Sequence, residues 1–147
     1  MDKVTLKPRI LLIEDDPERI ERIHEWLKNT DFVLIEASSG GKAKGILKKG
    51  MTGGIAGVML DHDLEKQRLT SADMSISGTD LIKGISQSIP KHIPILVHSM
   101  NDSKSPLMMK QLSQQGYSVT KNKMEELTKA KFDEWLEEVA DIWEDFN

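Results

Sequence analysis

Cysteine is absent from the 147 residues. Disulfide frameworks, zinc–thiolate sites, iron–sulfur clusters and thiol nucleophiles go with it. Positive charge is not in excess: 20 Lys and Arg face 24 Asp and Glu, a net charge of −4. Binding a phosphate backbone normally needs a basic face, so a nucleic-acid partner is not expected. No apolar run approaches the ~20 residues of a membrane span. The opening MDKVTLKP is polar and the apolar run after it covers only Ile10 to Ile13, which does not describe a secretory leader. The expected compartment is the cytoplasm. There is no internal repeat and no low-complexity tract. Gly53-Gly54 stands before an apolar run, whereas a phosphate-binding loop opens a helix, so it reads as a turn.

What is present is a length that suits one domain, 1–147, with nothing over for an output domain. Short apolar runs recur: Ile10–Ile13, Phe32–Ile35, Ile55–Leu60, Ile93–Val97 and a weaker one at Tyr117–Val119. Runs without polar alternation suit strands buried on both faces. Helical spacing fills the intervals. Pro17 opens a segment with Ile20, Ile23, Trp26 and Leu27 on one face. Segments 39–49, 79–89 and 105–115 follow, closed by Gly50, Pro90 and Gly116. The last, from Met124 to about Asp145, carries a stripe at Phe132, Trp135, Leu136, Val139, Ile142 and Trp143. Alternating strands and helices predict an α/β fold, a doubly wound five-stranded parallel sheet of flavodoxin type with strand order 2-1-3-4-5. Residues 64–77 show no period and read as a long loop.

Ligands of such a sheet bind at the carboxyl ends of its strands. Glu14-Asp15-Asp16 follows the first strand, Asp61-His62-Asp63 the third, His98-Ser99 the fourth and Thr120-Lys121 the fifth. Two acids held ~4 Å apart repel by about 4 kcal/mol at an effective dielectric of about 20, so the edge calls for a cation. Hard oxygen donors suit Mg²⁺. The Ser99 hydroxyl and the Lys121 ammonium can each hold an oxygen of a phosphoryl group. Asp15-Asp16 also suits the N-cap and first turn of a helix. Strand side chains alternate, so if Ser99 faces the pocket, His98 faces a helix.

In order and spacing this set resembles the receiver domain of two-component response regulators. The matching pieces are ILLIEDDP (10–17), VMLDHDL (58–64), GTDLIKGI (78–85), ILVHS (95–99) and VTK (119–121). The intervals of 22 from Ser99 to Lys121 and 45 from Asp16 to Asp61 match the family's habit. The resemblance implies that Asp61 is the phosphoryl acceptor. Asp16 and Asp15 would hold Mg²⁺ with Asp61 and the backbone carbonyl of Asp63. Ser99 and Lys121 would contact the phosphoryl group. A histidine kinase or phosphotransfer protein would be the donor, and a downstream protein would read the state.

Some features depart from that pattern. Gly78 lies 17 positions after Asp61, a longer interval than the family leads one to expect. Asn122 stands where a Pro is usual after the Lys, and Ser118 where an aromatic is usual. LDHDL and HS resemble a receiver-derived group proposed to process cyclic phosphates, in which His62 and His98 would act as acid and base. A third reading is an unphosphorylated interaction module. The long last helix, if it protrudes, would suit a homodimer.

Overall fold

The computed structural model describes residues 7–48, 54–61, 78–99, 105–123 and 127–146. Within them, strands and helices alternate: β1 (Arg9–Ile13), α1 (Pro17–Leu27), β2 (Val33–Ala37), α2 (Gly40–Lys48), β3 (Ile55–Asp61), α3 (Gly78–Ser88), β4 (Ile95–Ser99), α4 (Ser105–Gln114), β5 (Val119–Lys123) and α5 (Lys129–Phe146). The strands form one parallel sheet in the order β2-β1-β3-β4-β5. The expected α/β class and strand order are both observed. The loop expected over 64–77 lies outside the described residues.

Period-two alternation sorts the strand residues into two cores. Leu11, Ile13, Val58, Leu60, Ile95 and Val97 face α2, α3 and α4. Ile10, Leu12, Met59 and Leu96 face α1 and α5, where Phe132, Trp135, Leu136 and Val139 cover them. β1 and β3 are inner strands, and apart from Asp61 at the end of β3 their buried runs are apolar, as suits strands covered on both faces. Gly57 has no Cβ because there is no room for one: it would stand 2.9 Å from the Trp135 ring. This close approach lets α5 lie flat on the sheet. The last helix therefore does not protrude. Phe132, Trp135, Leu136 and Val139 of its stripe are buried, Ile142 and Trp143 are half-buried, with Trp143 packed at the margin of the same core, and the exposed Phe146 ring stacks on His92 with centroids 3.9 Å apart.

Several boundaries differ from expectation for local reasons. Ile93 and Pro94 belong to the turn before β4. Tyr117 precedes β5 and serves as a plug, its hydroxyl within 2.9 Å of the Ile85 carbonyl and 2.6 Å of the Ile89 carbonyl at the end of α3. β5 instead runs through polar Thr120, Lys121 and Asn122, which an edge strand tolerates. Gly116, with φ +99°, turns the chain out of α4 as a helix-ending glycine does.

Candidate functional site

Register builds the site. Ile13 pairs with Leu60, so Glu14 follows at the level of Asp61. Asp61 pairs with His98, and His98 with Asn122. Glu14 shares parity with Leu12, Asp61 with Met59 and His98 with Leu96. All three thus fall on the α1/α5 side of the sheet, at its carboxyl edge. Each is buried, at 0%, 1% and 0% exposure. Their ligand atoms lie within 4.8 Å of one another.

Glu14 is the hub. Its Oε1 accepts from His98 Nε2 at 3.1 Å and from Arg19 Nη1 at 3.3 Å. Its Oε2 accepts from the backbone N–H groups of Asp15 at 2.9 Å and Asp16 at 3.1 Å. Burial pushes its pKa up, but the hydrogen bonds with His98 and Asp61 and the backbone donor outweigh that, and the carboxyl titrates well below the ordinary carboxylate range. A hydrogen bond between the Glu14 and Asp61 carboxyls requires a proton on one of them.

Arg19 stands over the same atoms. Its Nη1 is 4.0 Å from Asp61 Oδ2 and its Nε 3.5 Å from Asp16 Oδ2. The guanidinium is held protonated more firmly than usual, against the cost of its own burial, by the charges of Glu14, Asp61 and Asp16. Asp15, half-buried, is pushed upward by desolvation and by its neighbour Glu14.

The sequence-derived residues are distributed unevenly. Asp61 is in the row. So is His98, which the alternation argument turned toward a helix if Ser99 faced the pocket; the register with Asp61 puts it in the site. Asp16 does not reach the row. It is the N-cap of α1, its Oδ1 accepting from Glu18 N at 2.9 Å, with Pro17 in the first turn. Glu14 takes the buried position that the reading of Asp15-Asp16 as the acid pair had assigned one residue too late. The signal was available: Glu14 continues the parity of Leu12, and an Asp followed by Pro marks a helix start. Lys121 is on β5 in register with Val97. It lines a groove of about 330 Å³ with Thr120, Lys131, Glu134, Trp135 and Glu138. Ser99 ends β4; its side chain, and all of His62 and Asp63, lie outside the described residues. Arg19 went unnoticed because nothing in a one-dimensional pattern marks a basic residue one turn into a helix as facing the pocket.

The donor set fits a divalent cation. Glu14 and Asp61 offer adjacent carboxylate oxygens, and Asp15 stands at the next position. Oxygen donors suit Mg²⁺, while the imidazole of His98 adds a ligand that later first-row metals accept as well.

No protein-family model matches the chain, and no curated protein matches it in sequence. Solved structures do match in shape. The signal receiver domain of an HD domain-containing protein from Pseudomonas fluorescens superposes with a TM-score of 0.67 at 14% identity, covering 99% of this chain and 96% of that one. The receiver domain of a sensor histidine kinase from Pseudomonas aeruginosa, described with a magnesium ion coordinated in its active-site cleft, gives 0.62 at 16%, covering 88% and 93%. A chemotaxis protein CheY4 of Vibrio cholerae gives 0.62 at 15%, covering 90% and 98%. The chain has the fold of response-regulator receiver domains. No helix among the described residues is long and apolar enough to cross a membrane.

Proposed function

We propose that the chain is a cytoplasmic receiver that accepts a phosphoryl group on Asp61 in a phosphorelay. The observation that carries this reading is the position of Asp61: the last residue of the central strand of a receiver fold, at the carboxyl edge, side by side with Glu14. A carboxylate oxygen of Asp61 attacks phosphorus, the bond to the donor's leaving group breaks, and the leaving group departs with its electron pair. Glu14, Asp61 and Asp15 would hold Mg²⁺, with the Asp63 carbonyl as a further ligand; the ion would supply charge neutralisation at the transferring group. Ser99 and Lys121 would contact the phosphoryl oxygens. A histidine kinase or phosphotransfer protein is the donor class, and a downstream protein reads the α4, β5 and α5 face. With Phe132, Trp135, Leu136 and Val139 buried, the apolar surface that helix would offer to a second copy is its last turn, at Ile142, Trp143 and Phe146. The test is uptake of beryllofluoride with Mg²⁺, followed by fluorine resonance. Wild type should bind and Asp61→Asn should not; no uptake by wild type at millimolar Mg²⁺ overturns the reading.

One observation favours a second reading. His98 is held by the Glu14 carboxylate through Nε2, and its Nδ1 is buried with no hydrogen-bond partner among the described residues. A carboxylate-oriented imidazole with its other nitrogen uncommitted is the arrangement of a general base. With His62 as acid, it would take a proton from water as the water attacks a cyclic phosphate and one ester bond opens. Turnover of 2′,3′-cyclic nucleotides, lost in His98→Ala, would establish this reading over the first; no turnover across such substrates rejects it.

A further inference from the structure

One oxygen of each carboxylate in the row is within reach of one guanidinium. Arg19 Nη1 lies 3.3 Å from Glu14 Oε1 and 4.0 Å from Asp61 Oδ2, and Arg19 Nε lies 3.5 Å from Asp16 Oδ2. The side chain is only 16% exposed, so solvent screens these contacts less than it would at the surface. Its place is dictated locally. Asp16 caps α1 and Pro17 fixes the first turn. Arg19 at the third helical position then projects back over the strand end, because helical side chains tilt toward the N-terminus.

We propose that Arg19 is the built-in counter-cation of the acid pocket and competes with the divalent cation for it. This rests on the reading of the row as a metal site and says how that site is regulated. Without the metal, Arg19 offsets part of the charge of Glu14 and Asp61 and stabilises the folded edge. A metal must displace it from Glu14 Oε1 and Asp61 Oδ2, because a positive ion bound to those oxygens repels a guanidinium at contact distance. The concentration at which the site loads is therefore set by Arg19 as well as by the acids. Once displaced, the guanidinium remains at the pocket mouth, where its planar fork suits two oxygens of an arriving phosphoryl group. The same side chain that weakens binding of the metal alone would then strengthen binding of metal and phosphoryl group together.

The experiment is calorimetric titration of Mg²⁺ into the whole chain, with Mn²⁺ followed by electron paramagnetic resonance as a second probe. Wild type is compared with Arg19→Gln, Arg19→Lys and Arg22→Gln, the last an exposed arginine on the same helix. Arg19→Gln should bind either metal about tenfold more tightly or better. Arg19→Lys should fall between, and Arg22→Gln should stay within about twofold of wild type. Melting supplies the second readout: in chelator Arg19→Gln should melt below wild type, and saturating Mg²⁺ should narrow or reverse the gap. If Arg19→Gln does not fold well enough to titrate, Arg19→Lys carries the affinity comparison. Equal or weaker affinity in the Arg19 variants overturns the competition while leaving the metal site standing. No metal binding by any of the four proteins overturns the metal site itself and the competition with it.

Discussion

Replacing Glu14 by Gln tests the hub of the site directly. The carboxylate accepts from His98 Nε2, Arg19 Nη1 and two backbone N–H groups, at 2.9 to 3.3 Å. A hydrogen bond to a charged group contributes ~1.5–3 kcal/mol net, so four gross about 6–12 kcal/mol. Against this stands the cost of burying the ion, several kcal/mol after relaxation. Gln keeps one oxygen and turns an NH₂ toward donors, so at least one of them loses its acceptor. The balance is a loss of about 3 kcal/mol, or roughly 6–12 °C in melting temperature for a chain of this size. The pH dependence has a definite sign. The folded-state pKa of Glu14 lies well below its ordinary value of 4.5. Its contribution is therefore present above that value and is lost as the pH falls below it toward the folded pKa. Urea unfolding in chelator at pH 7 should show the full loss, and the gap between wild type and Glu14→Gln should shrink steadily below about pH 4.5. A Glu14→Gln protein as stable as wild type at pH 7, or a gap that persists unchanged into acid, would refute the assignment of Glu14 as the buried, multiply bonded acid.

Tyr117 is the one tyrosine in the chain, and burial pushes its hydroxyl up to about 12 from 10.0. Its absorbance should titrate late, and the stability it supplies should be complete below pH 10 and lost between there and about pH 12; Tyr117→Phe should cost about 1–2 kcal/mol at neutral pH and lack that alkaline loss. Gly57→Ala should destabilise by about 1–3 kcal/mol through overpacking, because the added methyl would stand 2.9 Å from Trp135 and 3.2 Å from both Ile10 and Val139; a variant with unchanged melting and unchanged tryptophan emission would contradict that close approach.

The sheet was legible because its central strands are covered on both faces. Ile10–Ile13 and Ile55–Leu60 have no polar alternation to confuse them with surface strands, and punctuation by Pro17, Pro90 and Gly116 marked helix limits. β5 was legible only at its start. As an edge strand it carries Thr120, Lys121 and Asn122, and the apolar signal at Tyr117 belongs to a plug under α3. Asp61 was legible as the acid ending a buried strand. Glu14 was not separated from Asp15 and Asp16, since three consecutive acids look alike until register decides which one continues the inward parity of β1. Partner choice across elements was beyond reach for the same reason: the contact between Glu14 and His98 spans 84 residues, and only strand pairing brings them together.

Bringing Glu14 and Arg19 into the site and leaving Asp16 outside it changes the charge balance of the pocket. With Asp16 capping a helix and the half-buried Asp15 left outside the count, the buried row and its arginine hold two carboxyls and one guanidinium. Counting the imidazole as neutral, the formal sum is −1, and it is zero where the two carboxyls share a proton. Such a pocket has little spare field with which to draw in a bare cation. A divalent ion alone leaves it positive, and a phosphoryl group alone, carrying about −1.5 to −2, leaves it strongly negative. The two together restore a sum near its starting value. Binding of the ion and of the phosphoryl group should therefore be mutually reinforcing, and by linkage each should tighten the other by the same factor. On the proposed reading, metal binding and phosphoryl binding would be one property, set by the row that register lays across β1, β3 and β4.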